Sequence, residues 1–162
     1  GTIVFAKTEL ASNFLMQQFF LRKVDKIYEA IVWGKANPLM GKINIPIANF
    51  NKKKKASINK DAKSALTEYK TLQTTNNNFS LVECKIFTGR THQIRIHASK
   101  INHPIIFDKK YGDNVFDKSL NIGNCNIALH SQSITFPNLN DKEIKVSCSP
   151  SNDFNKILQN LR

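Results

Sequence analysis

With 162 residues and 41% hydrophobic content, the chain is long enough for one domain, residues 1–162, with a core of its own. Lysine and arginine number 24 against 12 aspartates and glutamates, and the resulting charge of +12 favours polyanionic partners such as nucleic acid, although a Lys- and Asn-rich composition also serves solubility. Membrane partners are excluded from expectation by the lack of any window near the roughly 18 apolar residues of a spanning helix, and Cys84, Cys125 and Cys148, odd in number and far apart, signal neither a disulfide framework nor a zinc site but a reducing, cytoplasmic compartment.

The chain opens at Gly1 with no signal-peptide charge pattern, so an upstream segment is expected either to have been removed or to lie outside the given sequence. Residues 2–6, β-branched and aromatic, read as a strand. Thr8 is a helix N-cap with Glu9 in the first turn, and Leu10, Phe14, Leu15 and Phe19 follow at helical spacing as a core stripe. Arg22 and Lys23 suit the negative end of that helix. A strand is expected over 26–33, punctuated by Gly34, and a short one over 41–47 that ends near Pro46. Residues 51–63 carry Lys52, Lys53, Lys54, Lys55, Lys60 and Lys63 among few apolar side chains, which predicts a basic loop, either a solvated charge run or a contact for RNA phosphates.

Strands are expected over 66–72 and 79–87, joined by a polar turn. Next comes the densest stretch of the sequence: Thr88-Gly89-Arg90-Thr91-His92-Gln93-Ile94-Arg95-Ile96-His97 packs two arginines, two histidines and a glutamine into ten residues. From Gln93 to His97 polar and apolar residues alternate, the pattern of a half-buried strand or of a turn leading into an element. Arg90 and Arg95 can hold acidic groups, but arginine is a poor base and nucleophile at neutral pH, so the run needs a partner. His92 and His97 have no acidic or thiol ligand at suitable spacing, which leaves no metal site, and His103 and His130 read as structural. A helical stretch over 96–101 is stopped by Pro104, 107–126 is loop-rich with a turn at Tyr111-Gly112, two strands are expected over 127–136 and 142–146, and a helix over 153–161 closes the chain. No internal repeat is apparent. Strands outnumber helices and are joined by short turns, which points to an α+β fold with a mainly antiparallel mixed sheet and a few flanking helices.

Several strings in order resemble the RluA-type pseudouridine synthase family over nearly the whole chain. They are Gly1 with Phe5-Ala6-Lys7-Thr8, Lys26-Ile27-Tyr28-Glu29-Ala30 with Gly34, Gly41-Lys42-Ile43 with Pro46-Ile47, and Ala65 with Thr67 and Tyr69. The T-G-R-T-H-Q-I-R run at 88–95 follows and is the most specific of the set. His103-Pro104-Ile105-Ile106 with Asp108 and Tyr111-Gly112, then Leu129-His130 with Phe136-Pro137, complete it.

The resemblance implies isomerisation of uridine to pseudouridine in RNA, without metal or cofactor, on a base flipped into a cleft of the sheet. It implies ribosomal RNA of the large subunit more than transfer RNA as partner, and a monomer. Tyr28 lies where the family places an aromatic residue against the base, where a phenol can stack and its hydroxyl can take part in proton traffic. Arg95 matches the arginine that pairs with the catalytic carboxylate, a pairing that a planar guanidinium suits. Arg90, Thr91, His92 and Gln93 are candidates either to position RNA or to brace their loop, and Lys52 to Lys55 are candidate phosphate contacts.

One departure stands out. The family's nucleophile is an aspartate in a His-Arg-Leu-Asp motif followed by two variable residues and Thr-Ser-Gly, and this sequence lacks the motif. If Gly1 closes Thr-Ser-Gly, the aspartate would precede it by five residues. Asp108 reads as structural, and Asp25, Asp61, Asp113, Asp117, Asp141 and Asp153 lie in turn-like or polar contexts. Arg95 is therefore expected to lack its carboxylate, and the 162-residue chain alone to be inactive. A decayed, non-catalytic RNA-binding module is the alternative reading.

Overall fold

The computed structural model describes residues 1–48, 62–75, 78–120, 122 and 125–160. Helix α1 (Glu9–Phe20) begins at Thr8, whose hydroxyl accepts the Ala11 N–H, and it ends in a turn where Arg22 adopts a φ of 58°. In that turn Lys23 N–H donates to the Gln18 carbonyl and Arg22 N–H to that of Phe19, which satisfies the last carbonyls of the helix. The strands β1 (Asp25–Trp33), β2 (Met40–Asn44), β5 (Leu66–Thr74), β6 (Phe79–Ile86), β7 (Leu129–Pro137) and β8 (Glu143–Ser147) form one sheet in the order β2-β5-β6-β1-β7-β8. Every neighbouring pair in it is antiparallel. A second, two-stranded sheet pairs β3 (Ile47–Ala48) with β4 (Ala62–Lys63). Helices α2 (Gln93–Lys100), α3 (Asn114–Ser119) and α4 (Asn152–Asn160) flank the main sheet.

Alternation explains how the central strands bury both faces. In β6, Ser80, Val82, Cys84 and Ile86 are buried, and the first three sit opposite Val32, Ala30 and Tyr28 of β1 on one face. Helix α2 covers this face, where Ile94, His97 and Ala98 close over Ala30, Val32, Val82 and Cys84. On the other face Ile31 is fully buried, Trp33 packs on Phe79 at 4.4 Å between ring centroids, and Phe154 of α4 meets the His130 ring. Each buried Ile or Phe of this kind contributes roughly 1.5–3 kcal/mol against exposure. Towards β2 and β5 that second face is charged, with ion pairs Lys42–Glu68 and Lys85–Asp25 at its open surface, where such pairs add little stability.

Five expectations from the sequence are corrected. Residues 2–6 form no strand; Thr2 alone docks, its N–H donating to the Ser131 carbonyl at 2.8 Å. The apolar stripe of α1 is not core, since Leu10 is 68% and Phe19 41% exposed and only Gln18 of the helix is buried. Periodicity sets which residues share a helix face, not what that face meets, and here Phe14 and Leu15 line an open groove with Phe5 and the turn after β7. The expected strand over 41–47 splits at Pro46 into β2 and β3 because proline has no N–H to give a ladder. Residues 62 and 63 of the expected basic loop form β4, while 51–61, with Lys52, Lys53, Lys54 and Lys55, lie outside the described residues. The loop-rich stretch 107–126 contains α3, begun by Asp113, whose carboxylate accepts the Val115 and Phe116 N–H groups.

Candidate active site

The run at 88–97 is neither a strand nor only a turn. It enters α2 through His92 in the left-handed region (φ 55°), and the helix buries Gln93, Ile94, His97 and Ala98. Positions i, i+1, i+4 and i+5 form one helical face, and a five-residue window cannot separate that pattern from alternation.

Gln93 holds this entry in place. It is buried, and its side-chain oxygen accepts the Thr88 hydroxyl at 2.6 Å and the Arg90 N–H at 3.1 Å. Its amide nitrogen donates to the Leu66 carbonyl at 2.9 Å and to the Thr67 hydroxyl at 3.0 Å. All four hydrogen-bonding positions are occupied by protein, so Gln93 braces α2 against β5, the second of the two roles the sequence left open for it. Thr67 continues the chain of bonds. Because the His97 Nε2 faces the Ile45 carbonyl at 2.9 Å, Nε2 carries the proton and Nδ1 accepts from the Thr67 hydroxyl at 2.9 Å. Burial holds the His97 pKa below its ordinary value, in spite of the bond to Ile45.

Arg95 is not left without a carboxylate, contrary to expectation. Its Nε donates to Asp108 Oδ2 at 2.8 Å and its Nη2 to Asp108 Oδ1 at 2.6 Å. Asp108 is 1% exposed, and its Oδ1 also accepts the N–H groups of Lys110 and Tyr111 at 3.0 and 3.1 Å. Burial alone would raise the Asp108 pKa, but the hydrogen bonds from Arg95, Lys110 and Tyr111 together hold it below the ordinary carboxylate range. The bond to Asp108 in turn raises the Arg95 pKa. Asp108 is thus the partner that the sequence reading did not assign. Its place in the string with Tyr111 and Gly112 was the available signal, and only folding brings it to Arg95, thirteen positions earlier.

Tyr111 lies against Arg95, its ring centroid 5.1 Å from the guanidinium carbon, and its hydroxyl is 3.2 Å from His92 Nδ1. Partial burial and the charges of Arg95 and Lys110 hold the His92 pKa below its ordinary value. Arg90 donates from Nε to the Ser64 carbonyl at 3.1 Å, and Thr91 is exposed beside it. Tyr28 is half-buried on β1, facing the same side of the sheet as α2, between Cys84 of β6 and Ser131 of β7. Both expected catalytic residues therefore belong to one side of the sheet. His103 and His130 are bonded through Nδ1 to the Trp33 carbonyl and through Nε2 to the Cys148 carbonyl. Among the described residues no group of three or more His, Cys, Asp or Glu could hold a metal ion, and no helix is long and apolar enough to cross a membrane.

The start of the chain closes on the same place. A Cβ built on Gly1 would lie 2.9 Å from both the N and the O of Ser131, so only glycine allows this approach. Thr2 adds its own bonds to Ser131, through its N–H and between the two hydroxyls at 3.0 Å.

Comparison with known proteins agrees with the fold. The model of a family described as RNA pseudouridylate synthase matches residues 1–100. The chain is 42% identical over 120 residues to ribosomal large subunit pseudouridine synthase D of Blochmanniella floridana, covering 72% of this chain and 37% of that protein. It is 30% identical over 164 residues to ribosomal large subunit pseudouridine synthase C of Vibrio parahaemolyticus, covering 100% of this chain and 52% of the relative. The chain thus spans about half or less of the length of these relatives. Human RNA pseudouridylate synthase domain containing 4 superposes with a TM-score of 0.79 at 25% identity, over 95% of this chain and 68% of that one.

Proposed function

The chain belongs to the RluA-type RNA pseudouridylate synthase family, and on that premise we propose that it forms the larger part of a catalytic domain that isomerises uridine to pseudouridine in RNA. One observation carries the reading: Ser131 pairs with Tyr28 of β1 and bonds Thr2. Two strand spacings, roughly 10 Å, then separate the start of the chain from Tyr28, and a segment ahead of Gly1 needs few residues to reach the ring. In this reading Tyr28 stacks on the flipped base and can relay a proton, and Arg95 supplies a guanidinium to the reacting group. The nucleophilic carboxylate comes from a His-Arg-Leu-Asp segment joined ahead of Gly1 or supplied by another polypeptide.

The substrate is RNA, and the names of the two bacterial relatives favour ribosomal over transfer RNA. Arg90, Thr91 and His92 form one wall of the cleft, Lys52 to Lys55 add phosphate contacts, residues 1–162 make up one catalytic domain, and the protein acts as a cytoplasmic monomer without cofactor. The 162 residues alone make no pseudouridine in a uridine-containing RNA, whereas the chain extended through the His-Arg-Leu-Asp segment does. Product from the 162 residues, or none from the extended chain, would overturn the reading.

The Arg95–Asp108 pair supports a second reading, an RNA-binding module without chemistry, because Arg95 already has a carboxylate partner without a nucleophile. An in-frame His-Arg-Leu-Asp in the coding sequence just ahead of Gly1 supports the enzyme; a start codon or frameshift there supports the module.

A further inference from the structure

Two expectations from the sequence fail side by side. Residues 2–6 have the β-branched and aromatic composition of a strand yet form none, and the apolar stripe of α1 has the spacing of a core face yet stays open. Both border one groove, which Val4 and Phe5 line together with Phe14 and Leu15 of α1 and with Phe136 and Leu139 at the end of β7 and in the turn after it. Ile3, Phe5, Leu10 and Leu139 are each more than half exposed, a grouping of large apolar side chains that marks an interaction surface. The extended segment is held at both ends, by Thr2 on Ser131 and by Thr8 as the cap of α1. Between them no backbone N–H or carbonyl from Ile3 to Ala6 has a hydrogen-bond partner among the described residues. A row of free backbone groups between fixed ends is an edge to which another strand can add.

We propose that residues 3–6 are one half of a strand pair, completed by a strand of the polypeptide ahead of Gly1 whose apolar side chains fill the groove on α1. A strand fits where a helix does not, because only extended backbone can align its N–H and C=O groups with those of residues 3–6. The occupant follows from three features. This chain spans 37% and 52% of the two bacterial relatives, so proteins of this kind hold enough further chain to supply a strand. A charge of +12 opposes the close approach of a second copy. Ile3, Phe5 and Leu10 offer RNA phosphates no donor, which sets this face apart from one built for a polyanion.

The inference rests on the reading of the chain as the larger part of a catalytic domain, and two measurements keep the two apart. In the first, hydrogen exchange is followed in the 162-residue chain and in the chain extended ahead of Gly1 through the His-Arg-Leu-Asp segment to its natural start. Alternate amides from Ile3 to Ala6 are expected to exchange within about tenfold of unstructured rates in the shorter chain and at least about a hundredfold more slowly in the extended one. Equal exchange in both overturns the proposal, and slowing in the shorter chain that grows with its concentration assigns the edge to a second copy and overturns it too. Pseudouridine formation is scored on the same extended chain: product without protection overturns the strand alone, and protection without product overturns the enzyme reading alone. In the second, Phe5→Ser is compared in both chains. The urea midpoint of the shorter chain, whose Phe5 is already exposed, is expected to stay unchanged while that of the extended chain falls; equal shifts in the two overturn the proposal.

Discussion

Tyr28 and Ser131 are register partners across β1 and β7, and Ser131 is also the residue on which Gly1 and Thr2 close. A family tyrosine in mid-sheet and the first residues of the chain are thereby placed in adjoining strand positions. Gly1→Ala is expected to push the first residues off Ser131, because the new Cβ meets backbone and not a flexible side chain. Hydrogen exchange at the Thr2 amide should speed up about tenfold, while global stability changes by less than about 1 kcal/mol, since a chain terminus opens locally. Unchanged exchange at Thr2 would show that the close approach is not maintained.

Gln93→Ala removes four hydrogen bonds at once and leaves the Thr88 hydroxyl and the Arg90 N–H without their acceptor, while the Leu66 carbonyl keeps the Phe87 N–H and the Thr67 hydroxyl keeps His97. Unsatisfied buried groups cost about 1–3 kcal/mol each before relaxation or water entry, so a loss of about 2–4 kcal/mol is expected in urea unfolding. A loss below about 1 kcal/mol would mean that Gln93 does not brace α2 on β5.

Arg95→Ala strands Asp108 as a buried carboxylate, and a cost of about 3–5 kcal/mol is expected. Asp108→Asn keeps an oxygen for the Lys110 and Tyr111 N–H groups and should cost less. The double variant should be more stable than Arg95→Ala alone, and a double-mutant cycle in urea reads the coupling directly.

Stability should fall with acid in two separate windows. The His97 pKa lies below 6.5 in the folded protein, so as pH drops through the unfolded value the unfolded chain takes up a proton that the folded one refuses. Stability present above pH about 6.5 is therefore lost on the way down to the folded pKa. Asp108, also depressed, contributes stability that is complete above the unfolded value of about 3.9 and lost as pH falls to its lower folded value. Thermal melts from pH 8 to 3, with the His97 titration followed by NMR, test both signs; a His97 pKa above 6.5 would contradict the first.

Replacing Lys52, Lys53, Lys54 and Lys55 by Gln should weaken RNA binding and flatten its dependence on the logarithm of salt by about one unit per lost phosphate contact. An unchanged slope would place the phosphate contacts elsewhere on the chain.

Strands were legible where burial alternates, as in β6, and helix starts were legible where a cap is local, as at Thr8. The run at 88–97 identified the family but concealed its own geometry, because alternation over five residues fits a strand and the face of α2 alike. The roles within it divide along lines no spacing shows: Gln93 turns inward to β5, while Arg95 turns to Asp108.

Short stretches of chain suffice for the family, the antiparallel α+β class and the candidate pair Tyr28 and Arg95, because motif chemistry and side-chain period are local properties. Folding adds that α1 leaves its apolar stripe open, that Gly1 closes on the partner of Tyr28, and that Arg95 already has a carboxylate. These are contacts between distant segments, and their free energy depends on burial and on hydrogen-bond partners that appear only when the sheet brings those segments together.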